Sequence, residues 1–125
     1  MTQQLQQILD AAWEDRANIS VQSSTQEVRD AVEHVIAELD SGRLRVATRE
    51  AVGQWSVHQW IKKAVLLSFR LRDNEIIQAG QLGFYDKVQT KFADLSADEM
   101  RATGVRVVPP AVARQLLAGS DALTY

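Results

Sequence analysis

The stretch from Trp55 to Arg70 constrains the fold more than any other part of the sequence. It contains two of the three tryptophans, the basic pair Lys62–Lys63 and the continuous apolar block Ala64–Leu67. From His58 onward, apolar residues recur at helical spacing and come to cover most sides of the helix, which is typical of an element packed against more than one neighbour. The sequence therefore predicts a buried helix at the centre of the domain.

Two amphipathic helices are predicted before this element. Over residues 3–17, apolar side chains recur at i, i+3, i+4, i+7 and i+8, with polar residues between them. The same period continues from Val28 to Leu39. Ser24 and Glu27 have the spacing of a capping box, so the second helix is predicted to begin there, and Gly42 is predicted to close it.

Alternation with a period of two marks the candidate strands. Leu44–Thr48 and Trp55–Val57, on either side of Gly53, predict a β-hairpin. The short apolar runs Glu75–Ile77 and Phe84–Val88 are separated by a segment that contains glycine, and they fit short strands and extended loops equally well. Extended backbone is therefore expected on both sides of the buried helix.

A short helix and a weak strand are predicted further along the chain. Ser96 and Glu99 repeat the spacing of a capping box, but Gly104 follows soon, so this helix is predicted to have about two turns. Val105–Val108 alternates weakly and ends at Pro109–Pro110, which lack the N–H groups that a strand ladder needs.

Together these elements predict an α+β fold with two antiparallel N-terminal helices, a β-hairpin, a central buried helix and short strands. A chain of 125 residues can bury roughly two-thirds of the surface of its unfolded state, which is sufficient for one domain. We assign residues 1–110 to this domain. Residues 111–125 are assigned to a divergent tail, in which a further helical turn is predicted.

The amino-acid composition limits which cellular compartment and which classes of partner are expected. With 14 basic and 16 acidic residues the formal charge is −2, which offers no electrostatic footprint for nucleic acid. The absence of cysteine excludes disulfides and thiolate chemistry and favours a reducing compartment. The first residues lack a signal-peptide pattern, and no apolar run approaches the ~20 residues of a membrane helix. We expect a cytoplasmic protein that binds neither nucleic acid nor membranes.

No motif in the sequence assigns catalytic, cofactor-binding or metal-binding residues. His34 and His58 lack a second ligand at helical spacing, so no metal site is predicted. We interpret His34 as structural and His58 as a residue that caps or packs, with a general base as the alternative. An independent small enzyme built on His58, Tyr85 and Asp86 is a further hypothesis, without a motif behind it. The substrate-binding residues are unknown from sequence.

Two sets of side chains have competing interpretations. The basic residues form either a stripe that attracts anions or a solvated face paired with local acids such as Asp73 and Asp86. The large aromatic residues are predicted to pack in the core rather than to stack on a ligand. The basic set is Lys62, Lys63, Arg70, Arg72, Lys87 and Lys91. The aromatic set is Trp13, Trp55, Trp60, Phe69, Phe84, Tyr85 and Phe92.

A series of segments with characteristic order and spacing carries a family resemblance. The segments are Gln4–Ile8, Ala31–Val32, Leu39–Ala47, Trp55–Arg70, Phe84–Val88, Lys91–Ala93 and Val105–Arg114. They resemble the N-terminal domain of the tetrahydrodipicolinate N-succinyltransferase family. The resemblance implies a place in bacterial lysine and diaminopimelate synthesis, with a cyclic dicarboxylate as substrate and succinyl-CoA as the acyl donor.

The resemblance also implies that acyl transfer is carried out by a left-handed parallel β-helix, which follows the Val-Pro-Pro segment and assembles into trimers. This chain departs from that pattern after Arg114, and residues 115–125 contain no iterated hexapeptide. We therefore predict a domain homologue with no acyltransferase activity and no cofactor of its own. The alternative is a stand-alone binding or regulatory module that pairs with itself, with a full-length succinyltransferase or with another protein.

Overall fold

Three helices that pack together and two separate β-hairpins make up most of the computed structural model, which describes residues 2–115. The α+β class predicted from the sequence is confirmed. A 3₁₀ turn at Arg16–Asn18 follows the first helix. In chain order the elements are α1 (Thr2–Glu14), α2 (Gln26–Asp40), β1 (Ala47–Ala51), β2 (Gln54–Val57), α3 (Gln59–Ser68), β3 (Glu75–Ala79), β4 (Leu82–Asp86) and α4 (Ala97–Thr103).

The core lies where α1, α2 and α3 meet. Helix α3 packs against both of the others, which confirms the prediction of an element with more than one neighbour, but α1 and α2 also pack against each other to a similar extent. The apolar surface of α3 is nevertheless one-sided, because Leu66 is 40% exposed. Full burial of a large aliphatic side chain contributes about 1.5–3 kcal/mol, so this set supplies much of the stability of the domain. The largest side chains that are fully buried are Leu9, Val32, Val35, Ile61 and Leu67.

Helix α2 begins one residue later than the sequence indicated. Its N-cap is Thr25, whose backbone is extended and whose hydroxyl accepts a hydrogen bond from the Val28 N–H at 3.3 Å. The predicted cap, Ser24, has a buried hydroxyl without a hydrogen-bond partner. The capping box at Ser24 and Glu27 was therefore wrong, because the shift moves Glu27 out of the third helical position. The predicted stop is confirmed, since Gly42 has φ of 80°.

The first hairpin pairs β1 with β2 in antiparallel register, with Arg49 opposite Trp55. Its turn contains Gly53, which has φ of 72°, a conformation that side chains with a Cβ disfavour. The hairpin itself was predicted correctly. Strand β1 begins at Ala47 rather than at Leu44, because Leu44 packs against the helical core and leaves the strand path.

The second hairpin decides between the two alternatives that the sequence left open. The runs after α3 form true strands, in which Ile76 lies opposite Tyr85 and Ile77 lies opposite Phe84. The turn contains Gly80, with φ of 64°. Neither hairpin has an extensive contact with the helices among the described residues.

The chain after α4 differs from the prediction. Val105–Val108 has no ladder partner and is not a strand. Instead, Thr90 and Arg114 form an isolated antiparallel bridge, and the Gln115 N–H donates to the Gln89 carbonyl oxygen at 2.9 Å. Within residues 111–115, Val112 and Arg114 hold bridge positions and no residue is helical, so the predicted helical turn does not lie there. The rest of the predicted tail, residues 116–125, lies outside the described residues.

Helix α4 shows the predicted capping box. The Glu99 N–H donates to the Ser96 hydroxyl at 3.1 Å, and the Ser96 N–H donates to the Glu99 carboxylate at 3.3 Å. Gly104, with φ of 71°, ends the helix in the left-handed conformation. Because α4 buries none of its side chains, these caps hold it more than packing does.

Removing this cap should loosen α4 alone. Ser96→Ala is expected to reduce the local stability of α4 by about 1 kcal/mol, which corresponds to roughly fivefold faster amide exchange at Glu99. The midpoint of global unfolding should not move, because α4 contributes nothing buried to the core. Ser96→Asp, which keeps an acceptor, is the control. Equal exchange rates in the Ala variant and the parent would contradict the assignment.

Candidate functional site

The two histidines lie on separate elements of the fold. His58 immediately precedes α3. Its backbone N–H donates to the Val46 carbonyl oxygen at 2.7 Å, and its ring Nε2 lies 3.1 Å from the Thr48 hydroxyl. It thereby ties the first hairpin to α3, and its side chain makes no capping hydrogen bond. His34 is exposed on α2. Within residues 2–115, no group of three or more histidine or acidic residues is placed to hold a metal ion.

The predicted alternative site at His58, Tyr85 and Asp86 does not assemble. The Asp86 carboxylate accepts from the Val88 N–H at 3.4 Å, a local turn contact. Tyr85 points to solvent and is 68% exposed. In the part of the chain that the structure describes, no hydrogen bond joins either residue to His58.

The basic residues do not form one anion-binding stripe. Helix α3 ends at Ser68, so the helical face that Lys63 was predicted to share with Arg70 is interrupted. Lys63 Nζ instead lies 2.9 Å from the Asp10 carboxylate and joins α3 to α1. Lys87 Nζ donates to the Phe69 carbonyl oxygen at 3.1 Å. Ion pairing was correctly predicted as a role, but the proposed acids Asp73 and Asp86 were wrong.

Lys91 holds three segments together, in what we call the Lys91 junction. Its Nζ lies 2.5 Å from the Asp40 carboxylate and 2.8 Å from the Asp40 carbonyl oxygen, at the C-terminus of α2. The backbone N–H of Lys91 donates to the Ala113 carbonyl oxygen at 2.9 Å. The Lys91 side chain is only 14% exposed, so water screens this ion pair less than it screens a surface pair. The junction fixes residues 112–115 against the helical core.

Glu38, near the end of α2, forms a surface ion pair with Arg43, and this pair shifts the pKa of Glu38. Arg43 Nε donates to the Glu38 carboxylate at 2.9 Å. This hydrogen bond lowers the pKa of Glu38 from its ordinary value of 4.5. A lowered pKa keeps Glu38 ionised and excludes it as a carboxylic acid that donates a proton near neutral pH.

The aromatic residues divide between core and surface. Trp60 is only 8% exposed, as predicted. The core prediction was wrong for Trp55 and Tyr85, which are 63% and 68% exposed, and Phe69 lies at the surface boundary. Trp13 is half-buried, with the Arg16 guanidinium 4.4 Å from its ring centroid. Trp55 and Tyr85 stay uncovered because the hairpins that carry them make few contacts with the helices among the described residues.

Exposed apolar surface is therefore the most distinctive feature of the described residues. On the first hairpin, Trp55 and Val57 project from the same face, because residues two apart in a strand share a side. On the second hairpin, the opposite pair Ile76 and Tyr85 does the same. Such a distribution suits contact with another protein surface better than it suits catalysis.

A shallow groove lies on the second hairpin beside the extended segment that follows α4. Ile77 and Phe84 are half-buried along it, next to Val112. Asp86 and Arg114 supply its charged edge. The sequence did not predict this groove, because it depends on the bridge between Thr90 and Arg114, and hydrophobic periodicity carries no signal for such a bridge.

The fold and its surface define a small α+β domain whose chemically reactive side chains are dispersed. Residues 4–71 match the family model for the N-terminal domain of tetrahydrodipicolinate N-succinyltransferase. The chain belongs to this family.

Curated relatives agree with the family. The chain is 76% identical over 115 residues to the 2,3,4,5-tetrahydropyridine-2,6-dicarboxylate N-succinyltransferase of Variovorax paradoxus. It is 76% identical to the enzyme of that name from Paracidovorax citrulli and 62% identical to that from Bordetella avium. Each match covers 92% of this chain and 42% of the relative. The chain therefore spans less than half the length of these relatives.

Over residues 2–115, no helix combines the length and the apolar character that crossing a bilayer requires.

Proposed function

We propose that this chain acts as the N-terminal domain of a 2,3,4,5-tetrahydropyridine-2,6-dicarboxylate N-succinyltransferase, in cytoplasmic diaminopimelate and lysine synthesis. The observation that carries the proposal is the 76% identity over 115 residues to an enzyme of that name. The domain contributes by packing against the catalytic part of such an enzyme. It does not itself carry out the acyl transfer.

The side chains of the domain support the assignment of acyl transfer to the remainder of the enzyme. Transfer of a succinyl group to an amine needs a positioned base and donors for the developing oxyanion. The one candidate base, His58, bonds to Thr48 and holds a hairpin to α3. Lys63 and Lys91, which could attract a carboxylate or a phosphate, are paired with Asp10 and Asp40. In our proposal, succinyl-CoA is thus a ligand of the remainder of the enzyme and not of this domain.

The test is an assay of thiol release from succinyl-CoA in the presence of tetrahydrodipicolinate. The 125-residue chain alone is expected to give no rate above the blank. A chimera, in which the matched segment replaces its counterpart in the Variovorax paradoxus relative, is expected to keep kcat/KM within about tenfold of the parent, a difference of about 1.4 kcal/mol in activation free energy. Turnover by the chain alone would refute its inactivity. An inactive, folded chimera would refute the assignment as an N-terminal domain.

A second candidate function is a stand-alone module that binds a full-length succinyltransferase. The exposed Trp55 and Tyr85 favour it, because aromatic side chains often anchor protein interfaces. Size-exclusion chromatography of an equimolar mixture with the Variovorax paradoxus relative distinguishes the two functions. A shifted common peak at micromolar concentration supports the module, and two unshifted peaks reject it.

A further inference from the structure

A groove with an apolar floor and an acidic rim runs between α1 and α2. It consists of two adjoining recesses of about 530 and about 560 Å³, which share Ile8 and Glu27. We call the whole surface the α1–α2 groove. Its larger apolar residues include Leu5, Ile8 and Val28, and its acidic residues are Asp15, Glu27 and Asp30. Each recess is within the range of about 300–1,000 Å³ that is usual for binding sites, so the groove can admit the side chains of a second molecule.

The formal charges around the groove have one sign. Neither lysine nor arginine lines it in the part of the chain that the structure describes. The carboxylate of Asp15 accepts a hydrogen bond from the Asn18 amide, and that of Asp30 accepts from the Gln26 amide. Both donors are neutral and leave the negative charge in place. An apolar floor with an acidic rim suits a surface that combines apolar and basic side chains.

The first hairpin presents such a surface. Arg49 lies opposite Trp55, and Ala47 lies opposite Val57, so these four side chains share one face. Trp55 and Val57 are 63% and 53% exposed. Arg49 Nε donates to the carbonyl oxygen of Ala51 at 3.4 Å, a neutral acceptor that does not offset the positive charge. Tryptophan and arginine are among the residues that protein interfaces favour.

Charge distinguishes the first hairpin from the second. The register of the second hairpin places Ile76 and Tyr85 on one face together with Gln78 and Gly83, and none of the four is charged. This face offers no partner for an acidic rim. The first hairpin makes few contacts with the helices among the described residues, so its exposed face can enter a groove on another molecule.

We propose that the face of the first hairpin that carries Arg49 and Trp55 docks into the α1–α2 groove of a second copy of this chain. Trp55 packs on the apolar floor, and Arg49 pairs with the acidic rim. The hairpin and the groove are different surfaces, so each copy offers one of each and the contact is heterologous. The interaction needs only residues of this domain and does not depend on the proposed function.

A pair of charge reversals tests the contact. Sedimentation equilibrium of the 125-residue chain is expected to show association by about 1 mM. Arg49→Glu and Asp30→Arg should each weaken it at least about tenfold, because like charges then meet. An equimolar mixture of the two variants should associate again, since the unchanged hairpin of one meets the unchanged groove of the other. A monomeric parent at about 1 mM, or a mixture that does not recover, would overturn the proposal.

Lys62→Glu is the matched control. Lys62 is exposed on α3, one turn from the partly exposed Leu66, and its reversal changes the net charge as much as Arg49→Glu does. Association of the Lys62→Glu variant is expected to equal that of the parent. Loss of association in this variant, with none in Arg49→Glu, would assign the contact to α3 and contradict the hairpin. Far-UV circular dichroism checks that each variant is folded.

Disulfide trapping tests the same contact without changing a charge. The chain has no cysteine, so Val57→Cys can be mixed with Gln4→Cys or with His34→Cys, both of which line the groove. Under oxidising conditions the mixed disulfide is expected to form at least about tenfold faster than with Ile76→Cys in place of Val57→Cys, because docking raises the local thiol concentration. Ile76 is 65% exposed, so access is matched. Equal rates for the two hairpins would refute the docking.

Discussion

Trp60→Ala is expected to lower the free energy of unfolding by about 3–5 kcal/mol, the largest effect of any single substitution considered for this chain. Trp60 is 8% exposed and lies at the start of α3, where that helix enters the core. Truncation leaves a cavity that the neighbouring helices fill only in part. Because a small domain has a total stability of about 5–15 kcal/mol, a considerable fraction of it would be lost.

Urea unfolding followed by far-UV circular dichroism measures this loss, with Trp55→Ala as the matched control. The control removes a tryptophan from the same stretch of chain, but from a site that is 63% exposed. It is expected to change stability by about 1 kcal/mol or less, the range of a cross-strand pair on a surface hairpin. Similar losses in the two variants would contradict the division of the aromatics into core and surface.

Lys91→Met is expected to lower the free energy of unfolding by about 1.5–3 kcal/mol, the usual range for a hydrogen bond to a charged group. The substitution keeps most of the apolar stem and removes the ammonium group. That group lies 2.5 Å from the Asp40 carboxylate and 2.8 Å from the Asp40 carbonyl oxygen. Its positive charge at the C-terminus of α2 is also favourable to the helix dipole. Residues 112–115 should lose protection from amide exchange, because the junction fixes them.

A double-mutant cycle with Asp40→Ala isolates the interaction of the two side chains. The sum of the losses of unfolding free energy in the two single variants is expected to exceed the loss in the double variant by at least about 0.5 kcal/mol, the lower bound for residues in contact. Lys62→Met, at an exposed position on α3, is the control and should change stability by about 0.5 kcal/mol or less. Strict additivity of Lys91→Met and Asp40→Ala would contradict the junction.

Local rules predicted the helices well. The capping box of Ser96 and Glu99 and the left-handed Gly42 depend on residues within one helical turn, so their spacing is visible in the chain. The same rules failed at Ser24, because the adjacent Thr25 offers an equivalent hydroxyl. Spacing in the sequence does not show which of two adjacent hydroxyl residues is the N-cap, because that depends on the conformation of the loop before the helix.

The candidate site was largely out of reach of sequence reasoning. Lys63 was expected to pair with a nearby acid, but its partner Asp10 is 53 residues away in the chain. Tyr85 was assigned to the core because aromatic residues usually pack there. The second hairpin makes few contacts with the helices among the described residues, so Tyr85 is exposed. The preference of aromatic residues for the core takes no account of how a hairpin is placed relative to the helices.

The sequence by itself determined the order of helices and extended segments, the turns at glycine and the family to which the chain is similar. These features follow from periodicity, caps and ordered segments, which act over a few residues at a time. Only the tertiary structure decided which tryptophan is buried, which acid pairs with Lys91 and which hairpin lies beside residues 112–115. The reason is physical: those outcomes depend on contacts such as that of Asp40 with Lys91, 51 residues apart, which form only when the helices pack together.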